Sequence, residues 1–162
     1  MRYYSLAKLR NRMRLYLDSN VLIAWLRSEI DRAFNPRCLQ AERFFEACKN
    51  PSIEIVVSAH FLREVKKVVF LEKDQVKQTL EGFGLKIVFV GLVDRRKTAL
   101  IQRRTRIHFS DALHVAIALE NHCDSIITFN LKDFKKAEMF IGCLAPDALG
   151  KVPWPIHPGS FS

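Results

Sequence analysis

The sequence has no apolar run of the roughly 18 residues that a membrane-spanning helix needs, so a membrane is not an expected partner. It has no CxxC pair either. Cys38, Cys48, Cys123 and Cys143 lie scattered, and none has a histidine at zinc spacing. In a chain of 162 residues they read as reduced, mostly buried thiols, which makes the cytoplasm the expected location. Glycine and proline number six each, and there is no internal repeat and no linker. The basic N-terminus, MRYYSLAKLRNRMRLYLD, has the charge of a signal peptide but no uninterrupted apolar region after it. What remains is a hydrophobic share of 49%, enough for one compact domain over residues 14–150. Residues 1–13 form a basic extension and residues 151–162 a Pro-rich tail.

Acids are the scarcer charge, 17 against 26 Lys and Arg, which leaves a formal charge of +9. That excess favours a polyanionic partner, nucleic acid before membrane.

Short apolar runs at 15–17, 53–57, 86–90 and 125–128 read as buried strands, with a fifth near 139–141. Helical segments fall between them. Asp18-Ser19-Asn20 starts one through 21–27, and Asn35-Pro36 opens another to about Lys49, with Leu39, Phe44, Phe45 and Cys48 facing the core. Ser58 caps a helix over 59–73, Asp74 starts one that Gly82 and Gly84 close, and residues 92–106 form a basic helix. Ser110 caps the next, DALHVAIALENH. Strands alternating with helices, and apolar throughout, imply a three-layer α/β/α sandwich on a mostly parallel sheet of four to five strands. Sites in such folds form outside the carboxyl ends of the strands.

The acids fall at those ends. Asp18 follows the first strand inside LYLDSNVLIAWL, a setting in which an uncompensated carboxylate is costly. Glu64 lies in the helix after the second strand, Asp111 opens HFSDALHVAIA, and Asn130 and Asp133 follow the fourth strand in ITFNLKDF. Each has a bland alternative: Asp18 and Asn130 as helix caps, Asp133 as a cap's partner, Asp111 as a first-turn acid, Glu64 as a solvated charge. Unrelated caps, however, need not share one end of one sheet. Crowded carboxylates without cysteine or clustered histidine select a hard ion, Mg²⁺ or Mn²⁺.

LYLDSNVLIAWL, SAHFLREV and HFSDALHVAIALENHCDSIITFNLKDF together resemble the PIN domain, especially the VapC-type toxin ribonucleases, over roughly residues 14–145. The resemblance implies a Mg²⁺- or Mn²⁺-dependent endoribonuclease, often a homodimer, acting as a toxin with a partner antitoxin or as an RNA-processing nuclease. Its acidic tetrad maps onto Asp18, Glu64 and Asp111, with the fourth place at Asn130 or Asp133. Many members carry Asp where this chain has Asn130. Polar helpers map onto Asn20 and Thr128.

Phosphodiester hydrolysis needs an activated water and a counter-charge, and a divalent ion supplies both. His114 reads as a histidine packed or hydrogen-bonded behind the site. Arg103, Arg104 and Arg106 are placed to follow an RNA backbone, with a solvated helix face as the alternative. Phe109 and Trp25 read as core. Two rivals stand. A phosphatase of the HAD type would want an acid at Asn20, and a PIN-like domain with a weakened site would bind RNA or protein without cleaving.

Overall fold

The computed structural model describes residues 12–151. The basic extension up to residue 11 and the tail from residue 152 lie outside the described residues.

Five strands form one all-parallel sheet: β1 (Met13–Leu17), β2 (Ile53–Ser58), β3 (Lys86–Val90), β4 (Ser125–Ile127) and β5 (Gly142–Leu144), in the order β3-β2-β1-β4-β5. Among the described residues seven α-helices accompany them: α1 (Ser19–Leu26), α2 (Arg37–Ala47), α3 (Ala59–Val69), α4 (Lys73–Gly82), α5 (Arg95–Thr105), α6 (Phe109–Glu120) and α7 (Leu131–Phe134). β1 begins at Met13, one residue before the boundary drawn from the sequence.

Alternation along the strands builds two cores, because successive side chains point to opposite faces. Leu15, Leu17, Ile55, Val57 and Ile127 pack with residues of α1 to α4, including Leu22, Phe44, Phe45, Phe61 and Leu80. Tyr16, Val56 and Ile126 face the other way, against Ile101 of α5 and Val115 and Ile117 of α6. β2 is buried at every position, as expected of a parallel strand covered on both faces. No helix among the described residues is long and apolar enough to cross a membrane. Of the four cysteines, Cys48 and Cys123 are buried and Cys38 and Cys143 half-buried.

The structure corrects several local readings. The fifth strand starts at Gly142, because the Ala137 carbonyl accepts from both Phe140 and Ile141 and holds that stretch in a turn. α3 stops at Val69, where Phe70 takes a left-handed conformation at φ 60°. Leu39 is 45% exposed and lies outside the core. α6 is capped by His108, whose Nδ1 accepts from the Ser110 amide, and the Ser110 hydroxyl points elsewhere.

One charged cluster sits at the amino-terminal end of the strands. Glu54 of β2 meets Arg12 and Arg14, each at 3.1 Å, and Lys86 at 3.0 Å. Burial opposes its ionisation, but these three cations together pull its pKa below the usual range. Glu54 shows how this fold neutralises an acid with basic side chains. The opposite end of the sheet does it differently.

Candidate active site

The chain runs outward from β1 through β2 to β3 and then returns to β4 on the other side, so the strand order reverses between β1 and β4. A crevice opens outside the carboxyl ends at such a point. Leu17 pairs with Ile127, which sets Asp18 and Thr128 level with each other just past the strands.

Asp18 occupies the N-cap position of α1 but makes no side-chain capping bond. Its Oδ2 accepts from the Thr128 hydroxyl at 2.7 Å, and its Oδ1 lies 3.5 Å from His114 Nε2. Thr128 is itself held by Asn20 Nδ2 at 3.2 Å and by the Asn130 amide at 2.9 Å. Asn20 Oδ1 in turn accepts from the Phe129 amide. Asn20 and Thr128 therefore tie the ends of β1 and β4 together around Asp18. Asp18 is 5% exposed, and burial pushes its pKa up despite the nearby His114 and Thr128.

Glu64 projects from α3 into the same region, positioned by the Ser58 cap, whose Oγ accepts from the Phe61 amide. Three donors converge on it: Ser19 at 2.5 Å, Ser110 at 2.6 Å and His114 Nε2 at 2.8 Å. Burial resists its charge, but the bonds from His114, Ser110 and Ser19 prevail and bring its pKa to about 2. His114 is 1% exposed. Burial disfavours its charge, and Glu64, Asp18 and Asp111 more than offset that, raising its pKa. Behind it Nδ1 bonds the Tyr16 hydroxyl at 2.7 Å, and Tyr16 reaches Ser58 at 2.7 Å. His114 thus sits behind the carboxylates, linked to two of them.

Asp111, in the first turn of α6, is half-buried and takes no hydrogen bond among the described residues. Burial, then the charges of Asp18 and Asp133, push its pKa up to about 6. Asp133, on α7, accepts from Asn130 Nδ2 at 3.0 Å and lies 4.0 Å from Lys136. Asn130 stands at the N-cap of α7 without capping it, so its side chain serves Asp133 and not the helix end.

Sequence reasoning missed Tyr16, Ser19 and His60 and saw Ser58 and Ser110 only as caps. Only His60 left a readable signal, its spacing of four from Glu64 on one helix face. Phe109, read as core, is 43% exposed beside Asp111. Trp25 packs against Phe83 with ring centroids 4.7 Å apart. Arg103, Arg104 and Arg106 are exposed and make no ion pair among the described residues.

A family model described as the PIN domain matches residues 15–138. The chain belongs to the PIN domain family. The match contains Asp18, Glu64, Asp111, Asn130 and Asp133 of this PIN domain and stops before β5. Among solved structures, a toxin–antitoxin complex from Klebsiella pneumoniae is similar in fold, with a TM-score of 0.56 at 18% identity. The likeness covers 82% of this chain and 97% of that one. No curated protein matches the PIN-domain sequence.

Proposed function

We propose that this PIN domain is a divalent-metal-dependent endoribonuclease, with Asp18, Glu64, Asp111 and Asp133 as its acidic centre. One observation carries the reading. Among the described residues no Lys or Arg pairs with Asp18, Glu64 or Asp111, in contrast to Glu54 at the other end of the sheet. Carboxylates crowded with no Lys or Arg, with histidine alone against Asp18 and Glu64 and nothing against Asp111 among the described residues, favour a cation from outside. The donor set is oxygen-rich, which suits Mg²⁺ or Mn²⁺.

Asp18 and Asp111 would hold the ion, Glu64 would share it, and Asp133 with Asn130 would complete the set. When bound, such an ion lowers the pKa of water and offsets charge on a phosphate. The protein's own part is positional. Thr128 fixes the Asp18 carboxylate, and Ser19, Ser110 and His114 fix both oxygens of Glu64. Asn130 orients Asp133 while leaving it 45% exposed on the side chain. Exposed Arg103, Arg104 and Arg106 supply positive charge for an RNA backbone.

The toxin–antitoxin neighbour supports an antitoxin as protein partner and a role as the toxin of such a pair. A homodimer accords with the resemblance to VapC-type proteins. The test is cleavage of a structured RNA with Mn²⁺ or Mg²⁺, with excess EDTA, and with Asp18→Asn. Cleavage should need the ion and vanish in the variant. Full cleavage in EDTA overturns the metal reading. Mn²⁺ binding without cleavage leaves an RNA- or protein-binding domain.

A further inference from the structure

The acidic centre leaves His60 unused. His60 and Glu64 lie four residues apart on α3, so both project from one face, and His114 of α6 meets them there. His114 Nε2 is 2.8 Å from Glu64 Oε2, and His60 Nε2 is 3.4 Å from Glu64 Oε1. The ligand atoms of the three residues all lie within 4.8 Å of one another. The two imidazole rings are tilted at 45° with centroids 4.5 Å apart, so they converge without stacking flat.

We propose that His60, Glu64 and His114 form a second metal site, for a borderline ion such as Zn²⁺, which shares Glu64 with the acidic centre. Two histidines and one glutamate are a ligand set that binds Zn²⁺ through three protein atoms and leaves a fourth position open. Imidazole nitrogen prefers such ions to Mg²⁺, whereas the acidic centre is built of oxygen. The supporting bonds also fit. A ligating histidine needs a partner on its other nitrogen to fix the ring, and the Tyr16 hydroxyl holds His114 Nδ1 at 2.7 Å. Ser110 occupies the ligand side of the cluster, bonding His60 Nε2 at 2.7 Å and Glu64 Oε1 at 2.6 Å. Ligation through Nε2 replaces the hydrogen that His114 gives to Glu64, and it displaces Ser110 from His60. His114 is closed to solvent, but His60 and Glu64 keep 14% and 27% side-chain exposure, which gives an ion its way in.

Sharing Glu64 has a consequence. The His114 Nε2 ligand lies 3.5 Å from Asp18 Oδ1, so the two sites adjoin and draw on one carboxylate. A borderline ion seated on the histidines withdraws Glu64 from the acidic centre. The protein would then take up a hard and a borderline ion in competition.

The test uses the full chain, titrated calorimetrically with ZnCl₂ and followed by visible absorption with Co²⁺ as a spectroscopic stand-in. One ion per chain should bind, with the ligand-field bands of a four-coordinate site. His60→Ala should weaken Zn²⁺ by at least about tenfold, the scale on which even an outer partner matters, and erase the Co²⁺ bands. Asp111→Asn should leave both intact. In the unaltered protein, the ring resonances of His60 and His114 should shift together as Zn²⁺ is added, which needs no variant to fold. Unmoved histidine resonances, or Zn²⁺ uptake insensitive to His60→Ala and lost in Asp111→Asn, overturns the proposal. Those outcomes leave Mn²⁺-dependent cleavage untouched, so the two readings fail separately.

Discussion

The Thr128 hydroxyl donates to the buried carboxylate of Asp18 at 2.7 Å, joining residues 110 apart in sequence. The same oxygen accepts from Asn20 Nδ2 and from the Asn130 amide. Thr128→Val keeps the shape and removes the oxygen, leaving a buried carboxylate and two N–H groups short of partners. Each such loss costs about 1–3 kcal/mol. Thr128→Val should therefore unfold at clearly lower urea than wild type in metal-free buffer, while Thr128→Ser stays close to it. Equal midpoints for wild type and the valine variant would remove Thr128 from its organising role.

Asp111 gives a pH signature in metal-free buffer. Its pKa rises to about 6 in the folded chain, against about 3.9 when unfolded. Between those values the native state binds more protons than the unfolded one, so this group's contribution to stability falls as pH rises. Above pH 6 the folded protein carries a disfavoured charge. Asp111→Asn removes it and should stabilise by on the order of 1 kcal/mol at pH 7, discounted for solvent screening, or about 2–4 °C. The gain should shrink below pH 6 and vanish near pH 4. Glu64 behaves oppositely, since its pKa of about 2 makes it stabilising above pH 4 and lost only in acid. A gain for Asp111→Asn independent of pH would show that its charge is not the cause.

These relationships differ in how visible they were beforehand. The parallel sheet was legible because IEIVV, KIVFV and SIIT are predominantly apolar without strict alternation and set apart by helical periods. The sequence made the convergence of Asp18, Glu64 and Asp111 conditional on the first, second and fourth strands being neighbours, and the sheet order sets those strands side by side. What sequence could not supply was the third dimension of the hydrogen bonds. Tyr16 sits in an apolar strand and reads as core, and only the packing of α6 against that face brings its hydroxyl to His114. Ser110 looks like a helix cap in one dimension, yet His108 takes that role and frees its hydroxyl for Glu64. Phe109 was misread because an aromatic before an apolar helix usually packs inward, whereas the first turn of α6 presents it outward.

Asn130 and Asp133 form the weakest corner of the acidic centre. The Asn130 side chain donates through Nδ2 to Asp133, so Asp133→Asn removes a charge and Asn130→Asp replaces a donor with a second acid. For a half-exposed carboxylate near a divalent ion the Coulomb effect is on the order of 1–2 kcal/mol, about tenfold in affinity. Asp133→Asn should weaken Mn²⁺ by that factor. Asn130→Asp should tighten Mn²⁺ and lower stability in EDTA, since two acids then face each other without a donor between them. Unchanged Mn²⁺ affinity in Asp133→Asn would reduce the centre to three acids.

The arginines are tested by salt. Arg103 and Arg104 close α5 and Arg106 follows in a left-handed conformation at φ 56°, and all three are exposed. Acids hold other basic groups nearby, as Glu120 holds Lys97, but none pairs with these three among the described residues. Free cations on one exposed helix end are the groups that release counterions when a polyanion binds. For a single strand each neutralised phosphate adds about 0.7 to the slope of log K against log salt. Replacing all three with Gln should therefore flatten that slope by about 2 and weaken different RNAs by a similar factor. Phosphate contacts carry no sequence information, so relative preferences among RNAs should survive. Binding is best measured on Asp18→Asn protein, where cleavage does not consume the ligand. A slope equal to that of the parent protein would return the three arginines to an ordinary solvated helix face and send the search for the RNA path to other basic residues.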